Sequence, residues 1–217
     1  MKIVAAKSIL KANDQLAAEN RARFDAERVF VVNVVGSPGC GKTTLLESLF
    51  RQLKGRMSPA VIEGDIAGSI DAERIEALGL PVVQINTDGA CHLDANMIAS
   101  AANTLDLAGV DLLVIENVGN LVCTAGFDLG EHLRIVVLSI SEGDDKAVKY
   151  PAIFQGSDAL FVTKIDLLPH SDFSMERIMA DMRRLAPEAA VFEVSAKQGE
   201  GIPAAAEWLA EKAKQRS

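Results

Sequence analysis

Residues 36–44 read "GSPGCGKTT", and this stretch decides the fold of the chain. Gly36, Gly41, Lys42 and Thr43 fit the phosphate-binding pattern G-x-x-x-x-G-K-[ST]. The apolar run "VFVVNVV" comes just before the loop and the helix-period segment "TTLLESLFRQL" just after it. Because the pattern requires a strand before it and a helix after it, the stretch predicts an α/β nucleotide-binding fold.

The small residues of this loop suit phosphate binding. They let successive backbone N–H groups curl around a β-phosphate, and the start of the following helix adds positive potential. Lys42 would reach the β- and γ-phosphates, and the Thr43 hydroxyl would ligate Mg²⁺. We interpret Cys40 as a small space-filling residue rather than a metal or redox group. The predicted nucleotide-binding residues of the loop are Gly36, Ser37, Gly39, Cys40, Gly41, Lys42, Thr43 and Thr44.

Apolar runs alternate with helix-period segments along most of the chain. The helical segments include "TTLLESLFRQL", "DANMIASAANTL", "MERIMADMRRLA" and "PAAAEWLAEKAKQ". Strands that alternate with helices predict a doubly wound, mostly parallel sheet with helices on both faces, as in P-loop NTPases. The predicted strands are residues 29–35, 59–64, 81–86, 111–117, 134–141, 158–163 and 190–195.

The length of 217 residues suits one main globular domain, which we place at residues 29–217. The preceding residues 1–28 are polar and Ala-rich, and we expect a helical extension that docks on the outside of this domain or on a partner chain. No internal repeat or long linker marks a second domain.

The charge pattern excludes some partners. The formal charge is −8 and no block of Lys or Arg occurs, which argues against nucleic acid and anionic membranes. Lys7 and Lys11 interrupt the amino-terminal segment before a secretory signal core can form, and no apolar run reaches the roughly 18 residues of a membrane helix. We therefore expect a cytoplasmic protein whose three cysteines are thiols or metal ligands rather than disulfides.

Two short motifs at predicted strand ends indicate the base of the nucleotide. "TKID" at Thr163–Asp166 and "SAK" at Ser195–Lys197 match the [NT]-K-x-D and S-A-K patterns of guanine-nucleotide proteins. The Asp166 carboxylate can accept hydrogen bonds from both N1–H and the exocyclic amine of guanine. Adenine offers no such pair, so the motifs predict GTP or GDP as the ligand and a P-loop GTPase domain.

Other residues of the two motifs would complete the base site. Lys164 would lay its stem along the ring, and the Ala196 backbone N–H would meet the guanine oxygen. Thr163 replaces the commoner Asn, which ties this loop to the phosphate loop in such proteins, so we expect lower affinity with unchanged base choice. The predicted base-binding residues are Thr163, Lys164, Asp166, Ser195, Ala196 and Lys197.

The segment "DLLVIENVGN" places Glu116 and Gly119 where GTPases usually carry D-x-x-G. The Gly119 N–H would bond the γ-phosphate, and Glu116 would act near Mg²⁺ through water. Asp65 would ligate Mg²⁺ or orient the attacking water, or else serve as an ordinary turn carboxylate. No Gln stands where many small GTPases position water, so we expect slow intrinsic hydrolysis. The predicted catalytic residues are Lys42, Asp65, Glu116 and Gly119, and the predicted Mg²⁺ ligands are Thr43, Asp65 and Glu116.

A thiol and an imidazole stand side by side in "GACHL" at residues 89–93. Cys91, His92 and Cys123 would offer two thiolates and one imidazole, a set that suits Zn²⁺ or Ni²⁺ and poorly suits Mg²⁺. A second copy of the chain, a water or a recipient protein would complete a four-coordinate site. The alternatives are an incidental Cys-His pair and a disulfide, which cytosolic residence disfavours. Cys123 lies four residues past Gly119, so its segment is expected to respond to the γ-phosphate.

Three further residues have simpler interpretations. We interpret His132 and His170 as ordinary surface or loop histidines, with His132 as a reserve metal ligand. Asp94 is expected to cap the helix that follows it.

Together these motifs resemble the hydrogenase nickel-incorporation GTPases, called HypB, of the SIMIBI type. The resemblance covers about residues 29–203. It implies a GTP hydrolase that helps to insert nickel into the large subunit of [NiFe] hydrogenase with a HypA-like metallochaperone. It also implies a homodimer in the GTP state, with a metal site near the interface at Cys91, His92 and Cys123. The resemblance is carried by "NVVGSPGCGKTTLLE", "EGDIAGSIDAERI", "INTDGACHLDANMI", "ENVGNLVC", "FDLGEHLRIVVLSISEGDDKAVKYP", "TKIDLLPH" and "SAKQGEGI".

The sequence departs from this family at two places. Some members carry a Cys-rich or His-rich amino-terminal tract, whereas residues 1–28 contain neither Cys nor His, so we expect metal handling to depend on the internal site. Thr124 stands where the related pattern often has Pro, and we expect a looser loop that keeps the Cys123 ligand.

Three rival functions share parts of the pattern. A urease-type nickel GTPase typically holds its metal in a Cys-Pro-His triplet, which does not occur here. A non-catalytic metal carrier would use the nucleotide only to stabilise the fold. An ATP-dependent kinase of the same architecture is disfavoured by "TKID" and "SAK".

Overall fold

The computed structural model describes residues 6–66 and 68–216. The strands are β1 Phe30–Gly36, β2 Pro59–Asp65, β3 Val82–Asn86, β4 Leu112–Glu116, β5 Leu133–Ser139, β6 Ala159–Thr163 and β7 Ala190–Val194. The helices are α1 Ala6–Glu27, α2 Lys42–Leu53, α3 Ile70–Glu76, α4 Ala95–Ala102, α5 Lys146–Lys149, α6 Pro151–Gln155, α7 Met175–Leu185 and α8 Ile202–Lys214. Short 3₁₀ helices cover Cys123–Gly126, Ile140–Glu142 and Ile165–His170.

All seven strands form one sheet in the order β3-β2-β4-β1-β5-β6-β7. Every neighbouring pair is parallel, with helices between the strands. The chain places β2 and β3 on one side of β1, returns with β4 between β2 and β1, and continues with β5, β6 and β7 on the other side, so the sheet has its switch point beside β1. Ligands of such sheets bind in the crevice at the carboxyl ends of the strands, which is where β1 enters the phosphate loop.

The prediction of a doubly wound parallel sheet with helices on both faces is confirmed. Each predicted strand is present with its ends shifted by no more than two residues. Helices α3, α5 and α6 were not predicted, because segments of seven, four and five residues are too short to show an apolar helical period.

Alternate residues of β1 pack on opposite faces of the sheet. Val32 and Val34 belong to the core under α2 and α8. Val31 lies in a second core with α1 and α4, and Val35 in a third core with α6 and α7. Because β1 is buried on both faces, it reads in the sequence as a continuous apolar run.

Helix α1 lies along α4 and buries Ala17 and Phe24. Residues 1–5 of the predicted amino-terminal extension lie outside the described residues, and the division of the chain at residue 28 stays a prediction. Within the described part of the chain, no helix is both long enough and apolar enough to cross a membrane.

Candidate functional site

The phosphate loop lies at the carboxyl end of β1 and opens α2. Gly39 and Gly41 have φ values of 74° and 96°, in the left-handed region that favours glycine. A Cβ on Gly36 would lie 2.5 Å from the Val137 carbonyl oxygen, so the first glycine is required by the close approach of β5. The loop therefore has the tight backbone that its motif predicts.

Cys40 is fully buried beneath the loop. Burial raises the pKa of its thiol to about 11, so the sulfur stays protonated near neutral pH. Its sulfur would lie 2.7 Å from a Cβ placed on Gly36. These contacts agree with a space-filling role and leave no access for a metal.

Lys42, Thr43 and Thr44 line a cavity of about 420 Å³ together with the end of β4. The Thr43 hydroxyl donates a hydrogen bond of 2.8 Å to Glu116. The cavity also contains the predicted residues Asp65 and Gly119. The structure thus brings the phosphate loop and all four predicted catalytic residues to one pocket.

Two acidic residues that the sequence did not indicate join Glu116 in this cavity. Carboxylate oxygens of Glu63, Asp71 and Glu116 lie within 4.8 Å of one another. Burial, followed by the charge of Glu116, raises the pKa of Glu63 to about 11, and burial also raises the pKa of Glu116. One oxygen of each glutamate is buried without a hydrogen-bond partner in the described chain. A divalent cation bound nearby would satisfy these oxygens, so the residues present fit Mg²⁺.

Asp65 has a different environment from the three clustered acids. Its two carboxylate oxygens accept hydrogen bonds from the backbone N–H groups of Ile66 at 2.7 Å and Gly68 at 3.0 Å. These are the bonds of a turn carboxylate, the alternative interpretation of Asp65. The residue still lines the cavity, so its role as a Mg²⁺ ligand stays a prediction.

Gly119 packs directly on the phosphate loop. A Cβ at this position would lie 2.8 Å from the nitrogen of Pro38. The next residue, Asn120, donates its backbone N–H to the Gly36 carbonyl at 3.0 Å. The segment that follows β4 is thus joined to the phosphate loop on two consecutive residues.

The base-binding motifs line a neighbouring cavity of about 200 Å³. Asp166 accepts a 2.7 Å hydrogen bond from the Ser195 hydroxyl, which links the two motifs. Lys164 has a left-handed φ of 61° and donates to the Gly39 carbonyl at 2.8 Å. A lysine in this strained region is held by its surroundings, as is common at binding sites. Ala196 and Lys197 complete the lining.

Thr163 makes the link that was expected of asparagine. Its hydroxyl donates to the Cys40 carbonyl at 2.6 Å. The loops are therefore tied together with threonine in place, and the lower affinity expected from this position stays a prediction.

Cys91, His92 and Cys123 meet at one point. The two sulfurs are 2.6 Å apart, and the Cys91 sulfur lies 3.7 Å from His92 Nδ1. All three cysteines of the chain are free thiols, and the three ligand atoms lie within 4.8 Å of one another. Hydrogen bonding with Cys91 raises the pKa of the Cys123 thiol. The structure therefore brings the three predicted ligands together, and their role as metal ligands rather than an incidental Cys-His pair stays a prediction.

Several side chains that the sequence did not indicate hold this cluster. Phe127 stacks on the His92 ring with centroids 3.9 Å apart. The buried Asn117 side chain accepts from the Leu93 backbone N–H at 3.3 Å and so joins the end of β4 to the Cys91–His92 loop. Asn120 accepts from the Cys123 N–H at 3.0 Å. No sequence pattern indicated Phe127, and the only indication for Asn117 and Asn120 was that Asn is common in loops.

The loop around Thr124 is not looser. Thr124 is buried and donates a 2.6 Å hydrogen bond to the Asn120 carbonyl. Proline has no such donor, so the expectation of a looser loop is wrong in the structure.

The remaining histidines do not join the cluster. His132 lies beside β1 at its amino-terminal end, with its side chain 1% exposed, and accepts from the Val31 N–H at 2.8 Å. Burial lowers its pKa. His132 lies in the bend before β5, which agrees with its interpretation as a loop histidine. It is not among the described residues whose ligand atoms meet in the cluster, so the expectation of a reserve metal ligand is wrong. His170 is exposed. Asp94 caps α4 by accepting from the Met97 N–H at 2.8 Å, as predicted.

Proteins of known family are similar to this chain in sequence. A family model described as "CobW/HypB/UreG, nucleotide-binding domain" matches residues 30–193. The hydrogenase maturation factor HypB of Azotobacter vinelandii is 52% identical over 204 residues, which are 94% of this chain and 66% of that protein. The factor of the same name from Escherichia coli K12 is 48% identical over 93% of this chain and 69% of its own length. The chain thus spans about two thirds of the length of these relatives.

Solved structures agree with the fold. The crystal structure of HypB from Helicobacter pylori in complex with nickel matches with a TM-score of 0.90 and 40% identity. The match covers 94% of this chain and 96% of that one. Together with the phosphate loop, the guanine motifs and the Cys/His cluster, these likenesses show that the chain belongs to the HypB family of CobW/HypB/UreG nucleotide-binding proteins.

Proposed function

We propose that this chain is a Mg²⁺-dependent GTP hydrolase that carries nickel for the maturation of [NiFe] hydrogenase. One observation carries the proposal. The five-residue stretch from Gly119 to Cys123 packs on the phosphate loop at one end and bears, at the other, a thiol that meets Cys91. The relatives support the process, because they are named hydrogenase maturation factors, and one was crystallised with nickel.

The residues of the cavity suit phosphoryl transfer. Lys42 and the loop N–H groups would stabilise charge on the β- and γ-phosphates, while Thr43, Glu116 and the nearby Glu63 would hold Mg²⁺, which neutralises charge on the phosphate oxygens. Asp65 would orient the attacking water. As water attacks the γ-phosphorus, the bond to the β–γ bridging oxygen breaks and leaves GDP and phosphate.

The Cys/His cluster would hold Ni²⁺ as cargo, and it suits Zn²⁺ equally. Cys91, His92 and Cys123 give three ligands, and a water, a second copy of the chain or the recipient would give the fourth. A site with an open position can release its ion more readily than a closed one. This agrees with delivery rather than storage.

Nucleotide state would alter the metal site through the stretch from Gly119 to Cys123. A γ-phosphate bound by the Gly119 N–H would shift a residue that already touches Pro38. Asn120 would pass the shift on, because its backbone bonds Gly36 while its side chain bonds the Cys123 N–H. A tenfold change in nickel affinity requires only about 1.4 kcal/mol of coupling.

We also propose that the GTP form is a homodimer that pairs through the nucleotide face of the sheet. Five large apolar side chains that follow strand ends on this face are exposed, and Val122, next to Cys123, is 63% exposed. Exposed apolar side chains that lie on one edge of a sheet are suited to a protein interface. The exposed residues are Ile66, Ile70, Val122, Val148 and Leu167.

The proposed partners are a HypA-like metallochaperone and the large subunit of the hydrogenase, in the cytoplasm. The names of the relatives support the maturation role but identify neither partner. We propose neither nucleic acid nor a membrane as a partner, in keeping with the formal charge of −8.

The coupling is tested by nickel titration of the Mg²⁺·GTP-analogue and Mg²⁺·GDP forms, with a chromophoric chelator as competitor. We expect the two affinities to differ by about tenfold. Equal affinities would remove the coupling while leaving both sites in place.

Hydrolysis separates this proposal from a non-catalytic carrier. Saturating Mg²⁺·GTP should release phosphate slowly but above background, whereas a carrier would release none. Asp166→Ala should lose most of the preference for GTP over ATP, since the buried pairing with guanine is removed. A variant that still prefers GTP would show that the base assignment is wrong.

A further inference from the structure

Two asparagines of α1 connect the two segments that carry the Cys/His cluster. The Asn13 side-chain oxygen accepts from the Ala95 N–H at 2.9 Å, and its amide donates to the Asp128 carbonyl at 2.7 Å. The Asn20 amide donates to the carbonyls of Ala95 at 2.8 Å and Leu129 at 3.1 Å. Each side chain therefore spans the same gap between the same two segments.

These segments are short continuations of the ligand loops. Ala95 follows His92 by three residues, and Asp128 follows Cys123 by five. Phe127, which precedes Asp128 in the chain, stacks on the His92 ring. The cluster is thus clamped on its far side by a helix whose own residues are not ligands.

The clamp is buried and closely fitted. Asn13 and Asn20 are 7% and 5% exposed, so their hydrogen bonds are shielded from water, and losing them would leave polar groups unsatisfied. Arg21 adds a 2.7 Å ion pair with Asp128. Gly130 approaches α1 so closely that a Cβ would lie 2.7 Å from the Ala17 carbonyl oxygen. These contacts fix the position of the loop from Asp128 to Gly130 against α1.

We propose that Asn13 and Asn20 are positioning residues that hold the Cys91–His92 loop against Cys123, so that metal affinity depends on the docking of α1. The inference rests on the proposed metal function of the cluster. Residues that hydrogen-bond metal ligands directly typically contribute 10- to 100-fold to metal affinity, and we expect these more distant asparagines to contribute at the lower end of that range.

Asn13→Asp tests the clamp on one side only. A carboxylate still accepts from the Ala95 N–H but has no proton to donate to the Asp128 carbonyl, so the link to the Cys123 segment is lost. Asn20→Leu removes both bonds of the second asparagine. Gln15→Ala is the matched control, because Gln15 is on the exposed side of α1 and, among the described residues, its side chain bonds to Glu19 of the same helix.

Nickel binding by the full chain is measured with a chelator in competition, and the thiolate-to-nickel absorption band is recorded at saturation. We expect both asparagine variants to lose about tenfold or more in affinity and to shift the band, while GTP affinity stays within about twofold of wild type. The GTP affinity also shows that each variant is folded. Should Asn20→Leu fail to fold, Asn13→Asp decides the question alone.

Wild-type affinity and an unchanged band in folded Asn13→Asp would overturn the proposal. Cys91→Ser and Cys123→Ser separate this failure from that of the metal function. If the serine variants bind nickel as tightly as wild type, the metal site itself is wrong. If they lose binding while Asn13→Asp does not, only the positioning role is wrong.

Discussion

The phosphate loop and the Cys/His cluster lie on the same edge of the sheet but are built in opposite ways. The phosphate loop is one run of nine residues whose shape comes from its own glycines. The cluster joins ligands 32 residues apart, and residues such as Asn117, Asn120 and Phe127 keep them together. A contiguous site depends on its own backbone, whereas an assembled site depends on supports that take no part in binding.

The largest expected effect is the loss of a buried ion pair that supports the cluster. Arg134 pairs with Glu131 and donates to the Phe127 carbonyl at 2.8 Å. Arg134→Met leaves the buried Glu131 carboxylate without its cation, so we expect a loss of about 3–5 kcal/mol in the free energy of unfolding, measured with urea.

The control is Arg184→Met, which breaks an ion pair whose arginine side chain is 64% exposed. Its cost should stay below about 1 kcal/mol. Equal costs for the two variants would show that the buried pair does not stabilise the segment that follows Cys123.

Lys42→Ala should impair the nucleotide site and leave the metal site unaffected. Removing the ammonium group that we propose to face the phosphates should slow phosphate release by about 10²- to 10³-fold. Nickel affinity without nucleotide should be unchanged, because the cluster contains no residue of the phosphate loop. Lys54→Ala, at the other end of α2, is the matched control, and a loss of nickel binding in Lys42→Ala would contradict the separation.

A smaller effect is expected at Thr124. Thr124→Val keeps the shape of the side chain but leaves the Asn120 carbonyl without its donor, which should cost about 1–2 kcal/mol of unfolding free energy in thermal or urea denaturation. Thr104→Val removes a similar bond to Ala101 at an exposed position and should cost less. A larger loss of unfolding free energy at the exposed position would show that the Thr124 hydrogen bond contributes little to stability.

The smallest expected effect is a difference in alkylation among the three cysteine thiols. Because Cys40 is fully buried whereas Cys91 and Cys123 are partly exposed, alkylation of the apo protein at pH 8 should modify Cys91 and Cys123 and spare Cys40 until the chain is unfolded. Peptide mapping after iodoacetamide treatment measures this. Early labelling of Cys40 would mean that the phosphate loop opens in solution.

The sequence was sufficient for the sheet and the phosphate loop. Strands buried on both faces appear as apolar runs, and the loop motif requires only neighbouring residues. The Cys/His cluster was also predicted, because thiolate and imidazole are recognisable metal ligands wherever they occur. These features depend on residue type and local order, which a sequence displays.

The supports and the acidic cluster could not be predicted in this way. Glu63 pairs in register with Glu116 across β2 and β4, and this neighbour becomes known only when the strand order is known. Asp65, two residues after Glu63, was predicted as a Mg²⁺ ligand in place of Glu63 because it follows the end of a predicted strand. Asn13 looked like any polar residue of an amphipathic helix, since its partners are 82 and 115 positions away.

Helix α1 also has a consequence for the order in which the protein becomes competent. Its hydrogen bonds to Ala95 and Asp128 close loops of 75 to 115 residues, and contacts between such distant parts of a chain form slowly. The phosphate loop is also held by distant residues, since Asn120 donates to the Gly36 carbonyl and Thr163 donates to the Cys40 carbonyl. During folding, both sites should therefore be completed only after the parallel sheet has assembled, and the metal cluster additionally requires the docking of α1.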